Sequence, residues 1–114
     1  MEKTSTGLEQ NIAGLLCYVF TWITGLIFFL IEKENKFVRF HALQSLITFG
    51  ALTIIQIFFS ILGSIFWRLW WLTGTVGSLL WIVTLVLIVF LAYKAYNNEM
   101  FKLPVVGDIA EKNA

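Results

Sequence analysis

The stretch that decides the fold runs from Phe40 to Trp67 and reads FHALQSLITFGALTIIQIFFSILGSIFW. Its 28 residues contain no Asp, Glu, Lys or Arg, and His41 is its one ionisable side chain near neutral pH. Residues 10–31 and 69–93 form two similar uncharged runs, of 22 and 25 residues. A helix needs about 20 apolar residues to cross the hydrocarbon core of a bilayer. The sequence therefore predicts three hydrophobic spans.

Composition supports a membrane protein with a single domain. The chain has 114 residues, of which 59% are hydrophobic and 13% are charged. A soluble chain this short has too little interior to bury so many apolar side chains. Unbroken apolar runs, such as residues 26–31 and 85–91, exclude the alternation of a membrane barrel. We therefore expect an all-α integral membrane protein with spans at about 10–31, 40–66 and 72–96, short loops, and an interfacial tail over residues 97–114.

The charged loops predict an orientation. The flank before residue 10 lacks the positive region of a cleaved signal, so the first run is interpreted as a retained span. Three spans would place Lys3 and Arg68 on one side of the membrane. The other side would carry six basic residues, which are Lys33, Lys36, Arg39, Lys94, Lys102 and Lys112. Basic loops favour the cytoplasm, so the first loop and the C-terminus are expected there, and the N-terminus outside. A re-entrant segment, for example within residues 40–67, would change this topology.

The second predicted span carries a polar face. Helical steps of about 100° bring its polar side chains within roughly 120° of one another. The face consists of His41, Gln44, Ser45, Thr48 and Gln56, with Arg39 at the start of the span. Three interpretations are open: hydrogen bonding between helices, the lining of a polar groove or pore, and proton handling by His41. We hypothesise that Arg39, His41 and Gln44 form a cytoplasmic mouth, whose role is functional more than structural.

Small and polar residues also recur on the other two spans. The first span has Asn11, Gly14, Tyr18, Thr21 and Gly25 at spacings of three and four, and the third has Gly74 and Ser78. Small residues let helix backbones approach closely in a membrane. We predict that these residues pack helices together, either within the chain or between copies. A cleft for a lipid or another ligand is the alternative.

The residue types bound the chemistry. The chain has one His and one Cys, and its three uncharged runs contain no carboxylate. A metal centre and a catalytic carboxylate pair are therefore not expected, nor is a cofactor or an enzymatic activity. The net charge of +1 argues against nucleic-acid binding. The expected partners are the lipid bilayer and either further copies of the chain or another membrane protein.

Three stretches carry a resemblance to a known family. They are GLEQNIAGLLCY (7–18), KFVRFHALQSL (36–46) and FKLPVVGDIA (101–110). Through them the chain resembles a family of small prokaryotic membrane proteins of unknown function, which is grouped with the twenty-kilodalton subunit of the chloroplast inner-envelope protein-import translocon. The resemblance implies a plasma-membrane protein allied to protein translocation or insertion. The leading functional hypothesis is a non-enzymatic accessory or channel-like component that moves polypeptide or small solutes. The alternative is a structural subunit that binds another membrane protein through its polar second helix.

Overall fold

The computed structural model describes Thr4 and residues 7–114. Its helices are α1 (Gln10–Val19), α2 (Trp22–Ile31), α3 (Lys36–Ile65), a short 3-10 helix (Trp67–Leu69), α4 (Trp70–Tyr96) and α5 (Val106–Asn113). The all-α prediction is confirmed over these residues. The prediction of three spans is wrong, because only Lys36–Ile65 and Trp67–Tyr96 are helices long and apolar enough to cross a membrane in the described chain.

The predicted first span is a helical hairpin. At the start of α1, Gln10 accepts a hydrogen bond from Asn35 Nδ2 (2.9 Å) and donates one to Asn98 Oδ1 (3.2 Å). At the far end of α1, the Thr21 carbonyl accepts a hydrogen bond from Ser45 Oγ (2.8 Å), ten residues along α3 from Asn35. The chain between Gln10 and Thr21 therefore runs into the bundle beside the first three turns of α3.

Helix α2 then returns to the end where α1 began. Gly25 approaches α3 so closely that a Cβ atom there would lie 2.8 Å from the Ala42 carbonyl oxygen. At the end of α2, Arg39 donates to the carbonyls of Phe29 (3.1 Å) and Glu32 (2.7 Å). Each helix of the hairpin has 10 residues, or about 15 Å, which is half the hydrocarbon thickness of a bilayer. Neither helix of the hairpin is therefore long enough to cross a bilayer alone.

The start of the hairpin lies beside the end of α4. The start of α1, the loop before α3 and the end of α4 meet at one end of the bundle, through Gln10, Asn35 and Asn98. The N-terminus and the C-terminus were expected on opposite sides of the membrane, and this orientation stays a prediction. Lys3, which entered that expectation, lies outside the described residues.

Threonine chemistry explains the break between α1 and α2. Thr21 adopts φ 56° and ψ −132°, a conformation that β-branched residues rarely enter. The Thr24 hydroxyl accepts a hydrogen bond from the Phe20 amide (3.2 Å) and lies 3.3 Å from the Thr21 carbonyl. The Thr24 hydroxyl thus hydrogen-bonds backbone groups at the turn, where the helical pattern of backbone hydrogen bonds is interrupted. The break contains no proline or glycine, so the sequence on either side of it looks like one continuous apolar run.

Helices α3 and α4 form the part of the bundle that the hairpin does not reach. They contact each other closely at Gly63, where a Cβ atom would lie 2.7 Å from Thr73 Oγ1. Around the connecting turn, Trp67, Trp70 and Trp71 are all exposed. Tryptophan favours the membrane interface. One half of the bundle therefore has four packed helices and the other half has two.

The tail folds back over the four-helix end of the bundle. Helix α5 places Ala110, which is fully buried, against Phe40 and Leu43 of α3. Outside the membrane, Lys102 forms an ion pair with Glu111, and this carboxylate raises the pKa of the Lys102 ammonium group. The sequence predicted an interfacial tail but did not predict α5 or its docking on α3.

Replacing Thr21 by glycine tests the hairpin. Glycine adopts positive φ readily, so Thr21→Gly should relieve backbone strain and stabilise the protein by about 1 kcal/mol, measured by thermal melting in detergent. In a continuous helix the same change would destabilise by about 0.3 kcal/mol, because glycine is a poorer helix former than threonine. The matched variant Thr53→Gly, inside α3, should lower the melting temperature. A lower melting temperature for Thr21→Gly would contradict the turn.

Membrane sidedness provides a second test. In a Cys17→Ala background, single cysteines at Glu9 and Asn97 should react with a membrane-impermeant maleimide from the same side, since both flank one end of the bundle. A cysteine at Arg68 should react only from the other side. Opposite sides for Glu9 and Asn97 would restore the three-span topology.

Candidate functional site

A buried hydrogen-bonded cluster joins α1, α3 and the tail. Its side chains are Tyr18, His41 and Gln44, which are all fully buried. The Tyr18 hydroxyl lies 2.6 Å from His41 Nδ1, and His41 Nε2 lies 2.9 Å from the Glu99 carbonyl oxygen. The rings of Phe37 and Phe40 pack against the imidazole edge, with centroids 4.6 and 5.0 Å from its own. We call Tyr18, His41 and Gln44 the polar cluster.

The partners of His41 fix the direction of each hydrogen bond. The Glu99 carbonyl can only accept, so His41 Nε2 carries the proton. In a neutral imidazole Nδ1 is then an acceptor, and it receives the Tyr18 hydroxyl proton. The Tyr18 oxygen in turn accepts from Gln44 Nε2 at 3.0 Å. When His41 is neutral, each hydrogen bond in the series from the Glu99 carbonyl through His41 and Tyr18 to Gln44 therefore has one donor and one acceptor.

Gln44 also binds the backbone of the tail. Its Nε2 donates to the Phe101 carbonyl and its Oε1 accepts from the Leu103 amide, both at 3.0 Å. A buried primary amide is costly to leave unpaired, and these contacts satisfy both its donor and its acceptor. The polar cluster therefore fixes the tail by backbone hydrogen bonds.

The rest of the predicted polar face has divided roles. Ser45 holds the hairpin turn, as described above, and Arg39 binds the last carbonyls of α2, with its guanidinium 4.4 Å from the centroid of the Phe29 ring. Thr48 is buried, and its hydroxyl has no hydrogen-bond partner among the described residues. Gln56 lies further along α3 and donates to the Gly77 carbonyl of α4 (3.0 Å).

The predicted packing residues also separate into two groups. Gly14 and Gly25 face α3 at close range, and a Cβ atom at Gly14 would lie 3.0 Å from the Phe37 ring and 3.2 Å from Ala95 Cβ. Asn11 is buried beside them, and its Oδ1 accepts no hydrogen bond within the part of the chain that is described. By contrast, the Cβ position of Gly74 has no described atom within 4 Å, so Gly74 does not mediate close packing inside the chain.

A groove runs between α3 and α4 from the hairpin turn at Thr21 to Trp70. It consists of two adjoining cavities of about 320 and 500 Å³, which share Gln56, Ser60 and Trp81. We call it the lateral groove; its polar lining includes Gln56, Ser60, Ser64, Thr73, Ser78 and Trp81. The groove continues the face on which the hairpin lies, in the half of the bundle that the hairpin leaves uncovered.

The hypothesis of a cytoplasmic mouth stays a prediction. In the described chain, Arg39, His41 and Gln44 contact protein groups, and His41 and Gln44 are fully buried. His41→Ala would delete two hydrogen bonds of this buried cluster. The open polar surface lies at Gln56, about two turns deeper than Thr48 along α3.

Sequence reasoning missed several residues of this site. Gln10 and Asn35 link three segments at the bundle end. Gln10 begins the first uncharged run, whereas Asn35 lies inside the charged loop, where nothing distinguishes it from its polar neighbours. Phe101, Leu103 and Val105 alternate with other residues, and this spacing indicates an extended segment. Among the described residues, no group of three His, Cys, Asp or Glu is placed to hold a metal ion.

Loss of the Gln44 amide should loosen the tail. Gln44→Leu leaves the Phe101 carbonyl and the Leu103 amide without their partner, so we expect a loss of about 1–3 kcal/mol in unfolding free energy. Trypsin should then cleave after Lys102 several-fold faster than in the parent protein. Gln56→Leu removes the same amide from the lateral groove and should leave the cleavage rate unchanged. Equal rates for both variants would show that Gln44 does not hold the tail.

Comparison with known proteins agrees with a membrane location. A UPF0132 membrane protein of Methanocaldococcus jannaschii is 49% identical over 98% of this chain and 94% of its own length. A second protein of that name, from Archaeoglobus fulgidus, is 46% identical over 92% of this chain and 95% of its own length. No solved structure matches the chain. The model of the Magnetosome magnetite crystal formation protein family matches residues 4–110. This membrane protein therefore belongs to that family.

Proposed function

We propose that the protein is a non-enzymatic interaction subunit of a prokaryotic plasma membrane, which binds a transmembrane helix of another membrane protein in its lateral groove. One observation carries the proposal: the groove lies between the two helices long enough to cross a membrane and presents hydrogen-bonding groups that the described chain leaves unpaired. Gln56 Oε1 accepts no hydrogen bond from the described residues, and the Trp81 indole N–H donates none to them.

The depth of Trp81 makes this observation informative. Trp81 follows the interfacial Trp70 by eleven residues, or roughly 16 Å along α4, which is close to the middle of the hydrocarbon core. Its side chain is 62% exposed, so within the single chain it would face lipid. Tryptophan is favoured at interfaces, where its N–H finds a partner. A partner helix that offers an acceptor to Trp81 and a donor to Gln56 would remove this mismatch.

The shape and lining of the groove favour a helix as the occupant. Ser60 and Ser64 on α3 face Gly77 and Ser78 on α4 across the groove. Small side chains on both walls let a third backbone come close, and the hydroxyl groups can hydrogen-bond across the interface. An acyl chain would leave these polar groups in contact with hydrocarbon. This is why we favour a protein partner over a lipid.

Movement of polypeptide or solute was the leading hypothesis from sequence and resemblance. It requires water along the polar face of α3, whereas the polar cluster on that face is buried and paired. This pairing favours the interaction hypothesis. Kinship with the chloroplast import subunit is not part of the matched family description, and it stays a prediction. So does the cytoplasmic location of the bundle end that contains Lys33, Lys36 and Lys94.

Photo-crosslinking tests the proposed docking site. A photoreactive amino acid at Ser78, in the groove, should give a discrete protein adduct in native membranes. The same probe at Val89, which is 70% exposed on the outer face of α4, should react mainly with lipid. Trp81→Phe keeps the ring but removes the N–H donor, and it should reduce the Ser78 adduct several-fold.

Two outcomes would contradict this function. Equal protein adducts at Ser78 and Val89 would mean that the groove is not a specific site. Rapid modification of a Gln56→Cys variant by a charged, water-soluble thiol reagent would mean that the groove is wet, which favours translocation. A helix-filled groove should protect that cysteine.

A further inference from the structure

The tail contacts the polar cluster through backbone atoms at alternate residues. The bonded atoms are the carbonyl oxygens of Glu99 and Phe101 and the amide of Leu103. In an extended segment, backbone groups of residues i, i+2 and i+4 point to the same edge. His41 and Gln44 therefore pair with one edge of the tail much as a neighbouring strand would.

This mode of binding depends little on the side chains of the bound segment. Glu99, Met100 and Lys102 are exposed, although Glu99 also forms a surface ion pair with Lys94 at 3.0 Å. Two positions contribute apolar contacts. The Phe101 ring lies 5.0 Å from the ring of Phe90 in an edge-to-face arrangement, and Leu103 packs against the hydrophobic core. The site therefore favours an extended segment with apolar residues two apart.

Residues 105–113, which follow this segment and hold it against α3, form a short anchor with a strained backbone. Val105 adopts φ 66°, in the left-handed region, which is unfavourable for a β-branched residue by about 1–3 kcal/mol. Helix α5 has eight residues, and its buried contacts with α3 centre on Ala110. Undocking the tail would release the strain at Val105 and expose a preformed row of hydrogen-bonding groups.

We propose that the polar cluster is a receptor site for an extended apolar segment of another polypeptide, and that residues 99–103 are its intramolecular occupant. The site lies at the opposite end of the bundle from the lateral groove and does not depend on the function proposed for that groove. Because the tail is tethered, it competes at an effective concentration in the millimolar range. A segment from another chain binds well only when the docking of α5 is weakened.

The test uses the full chain in nanodiscs and a fluorescent synthetic peptide with the sequence of residues 98–104, NEMFKLP. Ala110→Asp puts a charge where Ala110 is fully buried and should loosen α5. We expect this variant to bind the peptide at least tenfold more tightly than the parent chain does. Adding Gln44→Leu should abolish that gain.

Peptide chemistry separates backbone recognition from simple hydrophobic binding. N-methylation at the Leu103 position removes the amide donor and keeps the side chain, so it should weaken binding at least tenfold. Replacing the Lys102 position by alanine is the matched control and should have little effect. Equal binding of the methylated and unmodified peptides would overturn the proposal, and so would a lack of binding to the loosened chain.

If Ala110→Asp does not fold, Gly107→Ala provides a second way to loosen the tail. Gly107 is buried, and a Cβ atom there would lie 2.6 Å from Lys102 Cα. Gly107→Ala therefore displaces the tail through contact with backbone, without a buried charge. Both variants should show the same dependence on Gln44 and on the Leu103 amide. A folded Gly107→Ala chain that accelerates trypsin cleavage after Lys102 but binds no peptide would also reject the proposal.

Discussion

The hydrogen bond between Tyr18 and His41 joins the hairpin to α3 at the point where the C-terminal tail is also bound. It lies 2.6 Å long in a site that excludes solvent, where an unpaired polar group is costly. His41 also hydrogen-bonds the Glu99 carbonyl of the tail, and the Tyr18 hydroxyl also accepts a hydrogen bond from Gln44. The hairpin, the long helix α3 and the C-terminal tail thereby depend on one another. If any member is removed, the remaining groups are left in an apolar environment.

The cost of leaving polar groups unpaired in an apolar environment affects the two halves of the bundle differently. Where the hairpin is present, buried polar groups such as Gln44 and Ser45 find partners inside the chain. Asn11 and Thr48 are exceptions there, each with one buried oxygen that has no partner among the described residues. Where the hairpin is absent, Gln56 and Trp81 retain exposed groups that the described chain does not satisfy. The difference does not lie in the residue types, since both halves have glutamine and serine on α3. It arises because a helix pair 15 Å deep covers only half the length of a span.

Much of the architecture follows from the sequence, and the exceptions have identifiable causes. The uncharged runs correctly predicted α3 and α4, because spans of that length are dictated by the bilayer. The first run was misassigned because Thr21 and Thr24 make a turn from hydroxyl hydrogen bonds, which leave the hydropathy of the run unchanged. The helical wheel correctly grouped His41, Gln44 and Ser45. It could not show that their partners are backbone atoms of the hairpin and the tail, since those contacts join residues 24 to 59 positions apart.

The position of residues 99–103 has a consequence for biosynthesis. The ribosome makes this segment after α3 and α4, yet it supplies partners for His41 and Gln44. Until residues 99–103 are made and docked, α3 contains polar groups without their final partners. A chain that has been made only as far as α4 is therefore an incomplete folding intermediate. Nascent chains stalled before residue 99 should be the form that membrane proteases and chaperones recognise.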